Sequence, residues 1–268
     1  IRVIKQLDPC KKYKRPYVSV GTERGFFAAA ITKSESLILI DRNDKVLQYN
    51  RINTVLLALS KTCNDYRFLR LTSSVEEWRL RIDRYLEEHS SGVTVDYMKE
   101  MVFDRGINEC YEEWRFFMSF NFNEILNTGS IINKHGQTCS HFRFLQGFAG
   151  ANYLYDEGLF QHLSRLAKNN NILTLKIDLK KGCELREFFD NMKIYGFSIG
   201  VLDLSNAVDS TLYIKPEELD RIKDIASECR VVCSEEGEFS STFLGSRQQF
   251  VGGRVVHGKW SYFAGDLS

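Results

Sequence analysis

The chain has 268 residues, of which 43% are hydrophobic, so it can bury a large core as one domain or as one domain with an insertion. Its 36 Lys and Arg residues balance 35 Asp and Glu residues, and the net charge of +1 gives no general attraction to nucleic acid or to an anionic membrane. The longest apolar runs are far too short to span a bilayer, which predicts no membrane association.

Residues 1–60 alternate between strand and helix patterns. Short β-rich runs are separated by a glycine turn and by apolar residues at helical spacing. In order, the pattern predicts a strand at 17–20, a turn at 21–25, a helix from 26 to about 33, a strand at 37–40 and a helix at 44–60. The four successive apolar residues of 37–40 are typical of a strand covered on both faces.

Residues 61–150 interrupt this alternation. The run VEEWRLRIDRYLEEH carries apolar residues at helical spacing and predicts one amphipathic helix. More helix is predicted at 94–104 and around 108–126, whereas the polar, glycine-rich residues 127–151 indicate a long loop. We therefore expect 61–150 to be a helical insertion, or cap, over the strand ends.

The alternation resumes in residues 151–268. The patterns predict, in order, a helix from about 159 to 168, a strand at 171–179, a helix closed by Gly196, a strand at 197–206, a helix at 217–227 opened by Pro216, a strand at 230–234 and antiparallel hairpins in the tail. Alternating strands and helices favour a doubly wound, Rossmann-like α/β fold with a mainly parallel sheet. Residues 1–60 and 151–268 would form its two parts.

The predicted strands end in residues suited to ligand binding. Gly21 and Asp41 follow the first two strands, and Asp178 and Asp203 end the two later ones. Ligands of open α/β sheets bind beyond the carboxyl ends of the strands. The coincidence predicts a binding site at that edge of the sheet.

The spacing from Gly21 to Asp41 suits a nucleoside ligand. A glycine lets the backbone approach a ligand closely, and an acidic residue about 20 residues later can accept hydrogen bonds from ribose hydroxyls. The segment offers two glycines with the charged residues Glu23 and Arg24 between them, and this disfavours the pyrophosphate of NAD. S-adenosylmethionine has no phosphate and tolerates an acidic residue there. A glycine turn that serves the fold alone is the other interpretation.

A specific resemblance supports the first interpretation. The run VSVGTERGFFAAAITKSESLILIDRNDKVLQYN resembles the opening of class I S-adenosylmethionine-dependent methyltransferase-like domains. It is similar to a bacterial group whose first motif reads roughly V-G-x-E-x-x-F, followed by a strand ending D-x-R-x-x-N. Arg42 is shifted by one position from that pattern and Asn50 lies nearby. The group also has a late strand ending in Ser-Asn, which Ser205 and Asn206 match.

The resemblance implies S-adenosylmethionine as the cofactor and assigns roles to matching residues. Asp178 would lie near the adenine amino group, and Asp203 to Asn206 would line the floor beneath the methyl group. The implied catalytic residues are therefore Asp203 and Asn206, and the implied cofactor-binding residues are Gly21, Glu23, Gly25, Asp41, Arg42, Asp178 and Ser205. The chain departs from amino-methyltransferases in having neither proline nor aromatic residue in DLSN.

Two functions remain open at this stage. One is methyl transfer to an unknown acceptor, with the insertion forming the acceptor-side wall. The other is a non-catalytic Rossmann-like module that uses the insertion to bind a protein partner, as bacterial effectors delivered into a host cytosol do. Seven scattered cysteines without a C-x-x-C pair favour reduced thiols and a cytoplasmic location.

Two further patterns are weaker. The loop-like run with His135, Cys139 and His141 fits no common zinc spacing, so no metal site is predicted. The basic run CKKYKRPY at 10–17 indicates a solvated arm more than a nucleic-acid contact.

Overall fold

The computed structural model describes residues 15–21, 23–104, 106–109, 111, 153–205, 216–227, 230–234, 241–244, 250–256 and 259–265. The strands are β1 (Tyr17–Val20), β2 (Leu37–Asp41), β3 (Ile172–Lys176), β4 (Val201–Ser205), β5 (Arg230–Ser234), β6 (Ser241–Leu244), β7 (Phe250–Val256) and β8 (Lys259–Gly265). The helices are α1 (Glu23–Thr32), α2 (Asp44–Leu59), α3 (Cys63–Leu71), α4 (Val75–Glu88), α5 (Val93–Lys99), α6 (Glu157–Lys168), α7 (Gly182–Ile194) and α8 (Pro216–Ile225), with a π-helical turn at Glu100–Asp104 after α5.

The main sheet has the strand order β3-β2-β1-β4-β5-β6. Every neighbouring pair from β3 to β5 is parallel, and β6 runs antiparallel to β5. Strands β7 and β8 pair antiparallel in a separate two-stranded sheet. The prediction of an α/β chain with a mainly parallel sheet is confirmed.

The centre of the sheet is buried on both faces. In β2, Leu37 to Ile40 are all completely buried, as the uninterrupted apolar run predicted. Helix α6 packs against both α1 and α2, and the apolar residues of these helices join those of the strands in one core. Burial of this continuous apolar surface is the main force that holds the sheet and helices together.

Some predicted bounds are wrong by a few residues. Helix α1 begins at Glu23 rather than Phe26, because the predicted turn does not extend to Gly25, which already lies inside the helix. The strand predicted to end at Asp178 ends at Lys176, so Asp178 lies in the following loop. The strand predicted to end at Asp203 continues to Ser205, because Ser205 still pairs with Cys233 of β5. Asp203 therefore lies inside β4.

The connection from β2 to β3 contains most of the helices. The indole N–H of Trp78 in α4 donates to the Leu69 carbonyl of α3 at 2.9 Å, which links these two helices. Helix α5 packs on α2 and on β3, where the Tyr97 hydroxyl accepts the backbone N–H of Thr174 at 2.8 Å. These helices occupy the described part of 61–150, but their status as a separate insertion stays a prediction. The predicted helix beyond residue 111 and the predicted loop at 127–151 lie outside the described residues.

In the part of the chain that the structure describes, no helix combines the length and apolarity needed to cross a membrane.

Candidate functional site

The parallel register brings three of the predicted site residues to one edge of the sheet. Val20 lies opposite Ile40, and Asp41 lies opposite Lys176. Hydrogen bonds extend the ladder past these strands, from the Gly21 N–H to the Ile40 carbonyl at 3.4 Å and from the Ile177 N–H to the Asp41 carbonyl at 3.1 Å. Gly21, Asp41 and the loop that contains Asp178 therefore share the carboxyl edge.

Gly21 makes the turn out of β1. Its φ of +91° lies in the left-handed region, which residues with a side chain rarely adopt. A Cβ atom there would meet nothing within 4 Å, so the space beside Gly21 is open and the backbone is accessible to an approaching group. The Gly21 carbonyl accepts a hydrogen bond from Nδ2 of Asn50 in α2 at 2.9 Å. The turn is thus tied to the helix that follows β2.

Gly25 has a different role from Gly21. A Cβ atom at Gly25 would lie 2.6 Å from Cδ2 of Leu39 and 2.9 Å from Cβ of Ser19, both on the sheet. Gly25 therefore permits close packing of α1 on β1 and β2. Close packing therefore explains why this position is a glycine. A contact between Gly25 and the cofactor stays a prediction.

The Asp41 carboxyl lies among backbone amides at the end of β2. Its Oδ1 accepts the Asn43 N–H at 2.8 Å. Burial raises the pKa of Asp41 above its ordinary value, and this effect outweighs the backbone N–H groups of Asn43, Arg42 and Gly21 and the Arg42 charge, which lower the pKa. Asp41 follows Ile40, whose carbonyl accepts the Gly21 N–H, so Asp41 lies beside the glycine turn. This is a partly buried acid that would gain from additional hydrogen-bond donors.

Helix α2 begins directly after this carboxyl. Asn43 caps the helix, because its Oδ1 accepts the Lys45 N–H at 3.0 Å. The same Asn43 donates its own N–H to Asp41, so the cap also fixes the acid. Arg42 is exposed next to it. The local sequence Asp-Arg-Asn thus combines a helix start with a candidate ligand contact.

The loop that follows β3 holds Asp178 in place through several hydrogen bonds. The Asp178 N–H donates to Glu184 at 2.8 Å, and its Oδ1 accepts the Lys180 N–H at 3.1 Å. Arg221 of α8 donates to the Lys180 carbonyl at 2.7 Å. A Cβ atom at Gly182 would lie 2.7 Å from Nε of Arg221, so Gly182 lets this arginine approach. Asp178 is half-buried at the carboxyl edge.

The predicted catalytic residues are not brought together with these three. Asp203 is completely buried and accepts a hydrogen bond from the Tyr17 hydroxyl at 2.8 Å. Asn206 lies outside the described residues, as do the side chains of Glu23 and Ser205. The catalytic role of Asp203 and Asn206 stays a prediction.

A polar cluster in the helical region was missed by sequence reasoning. The Arg70 guanidinium, 5% exposed, donates to the hydroxyls of Tyr66 at 3.0 Å, Tyr153 at 3.2 Å and Tyr49 at 2.7 Å. Asn53 accepts from the Tyr66 hydroxyl and donates to the Tyr153 hydroxyl. A polar Asn in the middle of an apolar helix was the available signal. We name these five residues the Tyr–Arg cluster.

Metal ligands do not gather in the part of the chain described: no group of three or more His, Cys, Asp or Glu residues there could hold a metal ion. His135, Cys139 and His141 lie outside that part.

Comparison with known proteins gives one family match. The family model described as "Domain of unknown function (DUF7790)" matches residues 6–226. No curated protein matches the chain. The matched region includes all the strand ends discussed above, but the family description supplies no activity.

Proposed function

Because the chain belongs to the DUF7790 family, whose description names no function, we propose a function from its own site. We propose that it binds S-adenosylmethionine at the carboxyl edge of the sheet and is a methyltransferase-like protein. The observation that carries this proposal is the partly buried Asp41 carboxyl beside the left-handed Gly21 turn.

The strand order supports a nucleotide-binding arrangement. The parallel strands follow the order 3-2-1-4-5, which is that of doubly wound folds that bind nucleotides where the strand order reverses. Here that point lies between β1 and β4. We infer a Rossmann-like fold on this basis, with the ligand beyond Gly21.

Asp41 would bind the ribose. A carboxylate can accept two hydroxyl hydrogen bonds, and each charge-assisted bond contributes about 1.5–3 kcal/mol. New donors would also relieve the desolvation that raises the pKa of Asp41 in the free protein. A ligand with vicinal hydroxyls thus completes the surroundings of this acid.

Other residues at the edge would complete the binding site. The Asp178 carboxylate, fixed by the Lys180 N–H, would accept a hydrogen bond from the adenine amino group. The open space beside Gly21 would admit the ligand close to the backbone. Roles for Glu23, Gly25, Arg42 and Ser205 as cofactor contacts follow from the resemblance alone.

Bound S-adenosylmethionine would supply an activated methyl group. The chain's contribution would be to bind and orient, because proximity and alignment account for much of the acceleration of such a reaction. Asp203 accepts a hydrogen bond from the Tyr17 hydroxyl inside the sheet. By the resemblance, it would form part of the floor beneath the bound methyl group. The acceptor is not identified by any described residue.

Calorimetric titration tests the ligand. The wild-type chain should bind S-adenosylmethionine and its demethylated product, and should bind NAD and ATP at least tenfold more weakly, a difference of about 1.4 kcal/mol. Asp41→Asn should weaken binding, whereas Asp44→Asn is the matched control, since Asp44 is 63% exposed and pairs with Lys176. Binding of NAD alone would refute the proposal.

An exposed thiol gives a positional readout. Cys183 lies in the first turn of α7, close in sequence to Asp178, whereas Cys63 is buried. Bound ligand should slow alkylation of Cys183, measured by mass spectrometry of its peptide, and leave Cys63 unreactive throughout. Binding without protection of Cys183 would place the ligand away from the Asp178 loop.

One observation favours a second candidate, a non-catalytic binding module. Asp203 is completely buried and already hydrogen-bonded to Tyr17, so this candidate catalytic carboxyl is closed to solvent. A protein of this kind would keep the ligand site and bind a protein partner through the helices between β2 and β3. Transfer of labelled methyl groups to protein, nucleic-acid or small-molecule acceptors would favour the enzyme, and binding without any transfer would favour the module.

A further inference from the structure

Asn50 is completely buried in α2 and makes one hydrogen bond where its side chain can make more. Its Nδ2 donates to the Gly21 carbonyl at 2.9 Å. Its Oδ1 has no hydrogen-bond partner among the described residues. Buried amide oxygens are nearly always paired, because leaving one without a donor costs free energy. The unpaired oxygen belongs to the same amide group that holds the Gly21 carbonyl, in the turn proposed to contact the ligand.

The arrangement of Asn50 differs from an ordinary packing amide. Asn53, one helical turn later and equally buried, uses its Oδ1 and its Nδ2 within the Tyr–Arg cluster. Tyr66 and Tyr153 therefore supply partners for both polar atoms of Asn53, whereas the oxygen of Asn50 has no donor among the described residues. The amide with the unpaired oxygen is the one that contacts Gly21 at the strand-end edge.

We propose that Asn50 is a positioning residue of the ligand site, an inference that rests on the proposed function. Its Nδ2 holds the Gly21 carbonyl and so sets the direction of the turn. Its Oδ1 is reserved for a hydrogen-bond donor that arrives with the ligand. Since Asn50 is fully covered in the free protein, the donor reaches Oδ1 as the Gly21 turn adjusts on binding.

The chemistry of that donor is an O–H or a charged N–H. In S-adenosylmethionine and its demethylated product, the ribose hydroxyls and the ammonium group of the amino-acid part both qualify. 5′-Methylthioadenosine keeps the ribose and lacks the amino-acid part, so it separates the two sources. Loss of affinity for S-adenosylhomocysteine, the demethylated product, but not for 5′-methylthioadenosine identifies the ammonium group. Equal loss for both ligands identifies the part that they share, through a ribose hydroxyl on Oδ1 or through the position of the Gly21 turn.

The test compares Asn50→Ala with Asn53→Ala in the full chain. Both remove a buried amide from α2, and both should lower the midpoint of urea unfolding. We expect Asn50→Ala to weaken binding of S-adenosylhomocysteine roughly tenfold or more, and Asn53→Ala to leave it within about twofold. Asn50→Asp, which keeps the shape but loses the donor to Gly21, should bind as weakly as Asn50→Ala.

Hydrogen exchange without ligand supplies an independent readout. Peptides that span Val20 to Ala30 should exchange faster in Asn50→Ala than in the wild type, and at the wild-type rate in Asn53→Ala. Equal effects of the two alanine variants on exchange or on affinity would overturn the inference. If the wild type binds neither nucleoside ligand, the proposed function fails, and the exchange comparison still decides whether Asn50 positions the turn.

Discussion

Helix α2 contributes residues to two regions that differ in the hydrogen bonds of their buried polar groups. At the strand-end edge, Asn50 leaves an acceptor without a donor, and Asp41 has a raised pKa because it is partly buried. In the Tyr–Arg cluster, one helical turn further along α2, Asn53 uses both of its amide atoms and Arg70 reaches three hydroxyls. Both amide atoms of Asn53 therefore have partners inside the protein, whereas the Oδ1 atom of Asn50 has none among the described residues.

Because of this difference, we expect one region to affect ligand affinity and the other to affect folding stability. A polar group with all its partners inside the chain contributes to folding and has little left for a ligand. A group that lacks a partner lowers stability until a ligand supplies one. Variants in the cluster should therefore change unfolding and not affinity, whereas variants at the edge should change affinity more than stability.

The largest effect is expected in the cluster. Tyr66→Phe removes the hydroxyl that donates to Asn53 and accepts from Arg70, so two buried polar groups each lose a partner. We expect the free energy of unfolding to fall by about 2–4 kcal/mol in urea denaturation. Tyr85→Phe is the matched control, because Tyr85 is half-buried in α4 and stacks on His89 outside the cluster, and it should change stability by less than about 0.5 kcal/mol. A similar small change for Tyr66→Phe would contradict the comparison.

The next largest effect is expected at Gly25. Gly25→Ala places a Cβ atom 2.6 Å from Leu39 and 2.9 Å from Ser19, so α1 must move away from the sheet. Overpacking of this kind costs about 1–3 kcal/mol, measurable by thermal unfolding.

Gly21→Ala is the companion variant. It has open space for a Cβ atom but a φ of +91°, so it should lower the free energy of unfolding by about 1 kcal/mol. It should also weaken ligand binding more than Gly25→Ala does. The reverse order for binding would assign the ligand contact to Gly25.

A smaller effect, of opposite sign, is expected at Asp41. Because the pKa of Asp41 in the folded chain is above its ordinary value of 3.8, ionisation favours the unfolded chain, and stability falls as pH rises from 3.8 through the folded-state pKa. Asp41→Asn should therefore raise the free energy of unfolding at pH 7 slightly above that of the wild type, with no gain below pH 3.8. Denaturation at pH 3.5 and pH 7 measures this. A variant less stable at pH 7 than the wild type would show that the carboxylate stabilises the fold.

The smallest effect is expected at Lys176. Its ion pair with Asp44 lies at the same edge, but the two side chains are 60% and 63% exposed. Such pairs contribute less than about 1 kcal/mol and are screened by salt. Lys176→Gln should leave both stability and ligand affinity nearly unchanged at 0.15 M salt. A large loss of affinity would mean that charge at this edge, rather than unmet hydrogen bonding, attracts the ligand.

The sequence predicted the elements near the site well, because their signals are local. The uninterrupted apolar run of β2 and the helical spacing of α2 are each contained in a short stretch of neighbouring residues. The same holds for the glycine that bends the chain after β1. The residue at which a strand ends is harder to predict from a local pattern. Asp178 and Asp203 were therefore both predicted to end their strands, whereas β3 ends before Asp178 and β4 continues past Asp203.

The contacts that distinguish the two regions could not be read in this way. Tyr153 meets Tyr66 and Arg70 from a distant part of the chain, and no local pattern pairs them. The Asn50 contact with Gly21 depends on how α2 lies against β1, which is set by the strand order. Sequence patterns supply the elements, and the packing of those elements decides which polar side chains find partners.

The hydroxyl of Tyr97 has a consequence for how molecules of this protein meet each other in concentrated solution. Strand β3 is the outermost strand at one end of the main sheet, and Thr174 lies at its centre. A strand in that position exposes donors and acceptors that can recruit a strand from another molecule, the first step of many aggregates. Because Tyr97 already takes the Thr174 N–H and α5 packs over the strand, an incoming chain finds this donor occupied and its approach obstructed.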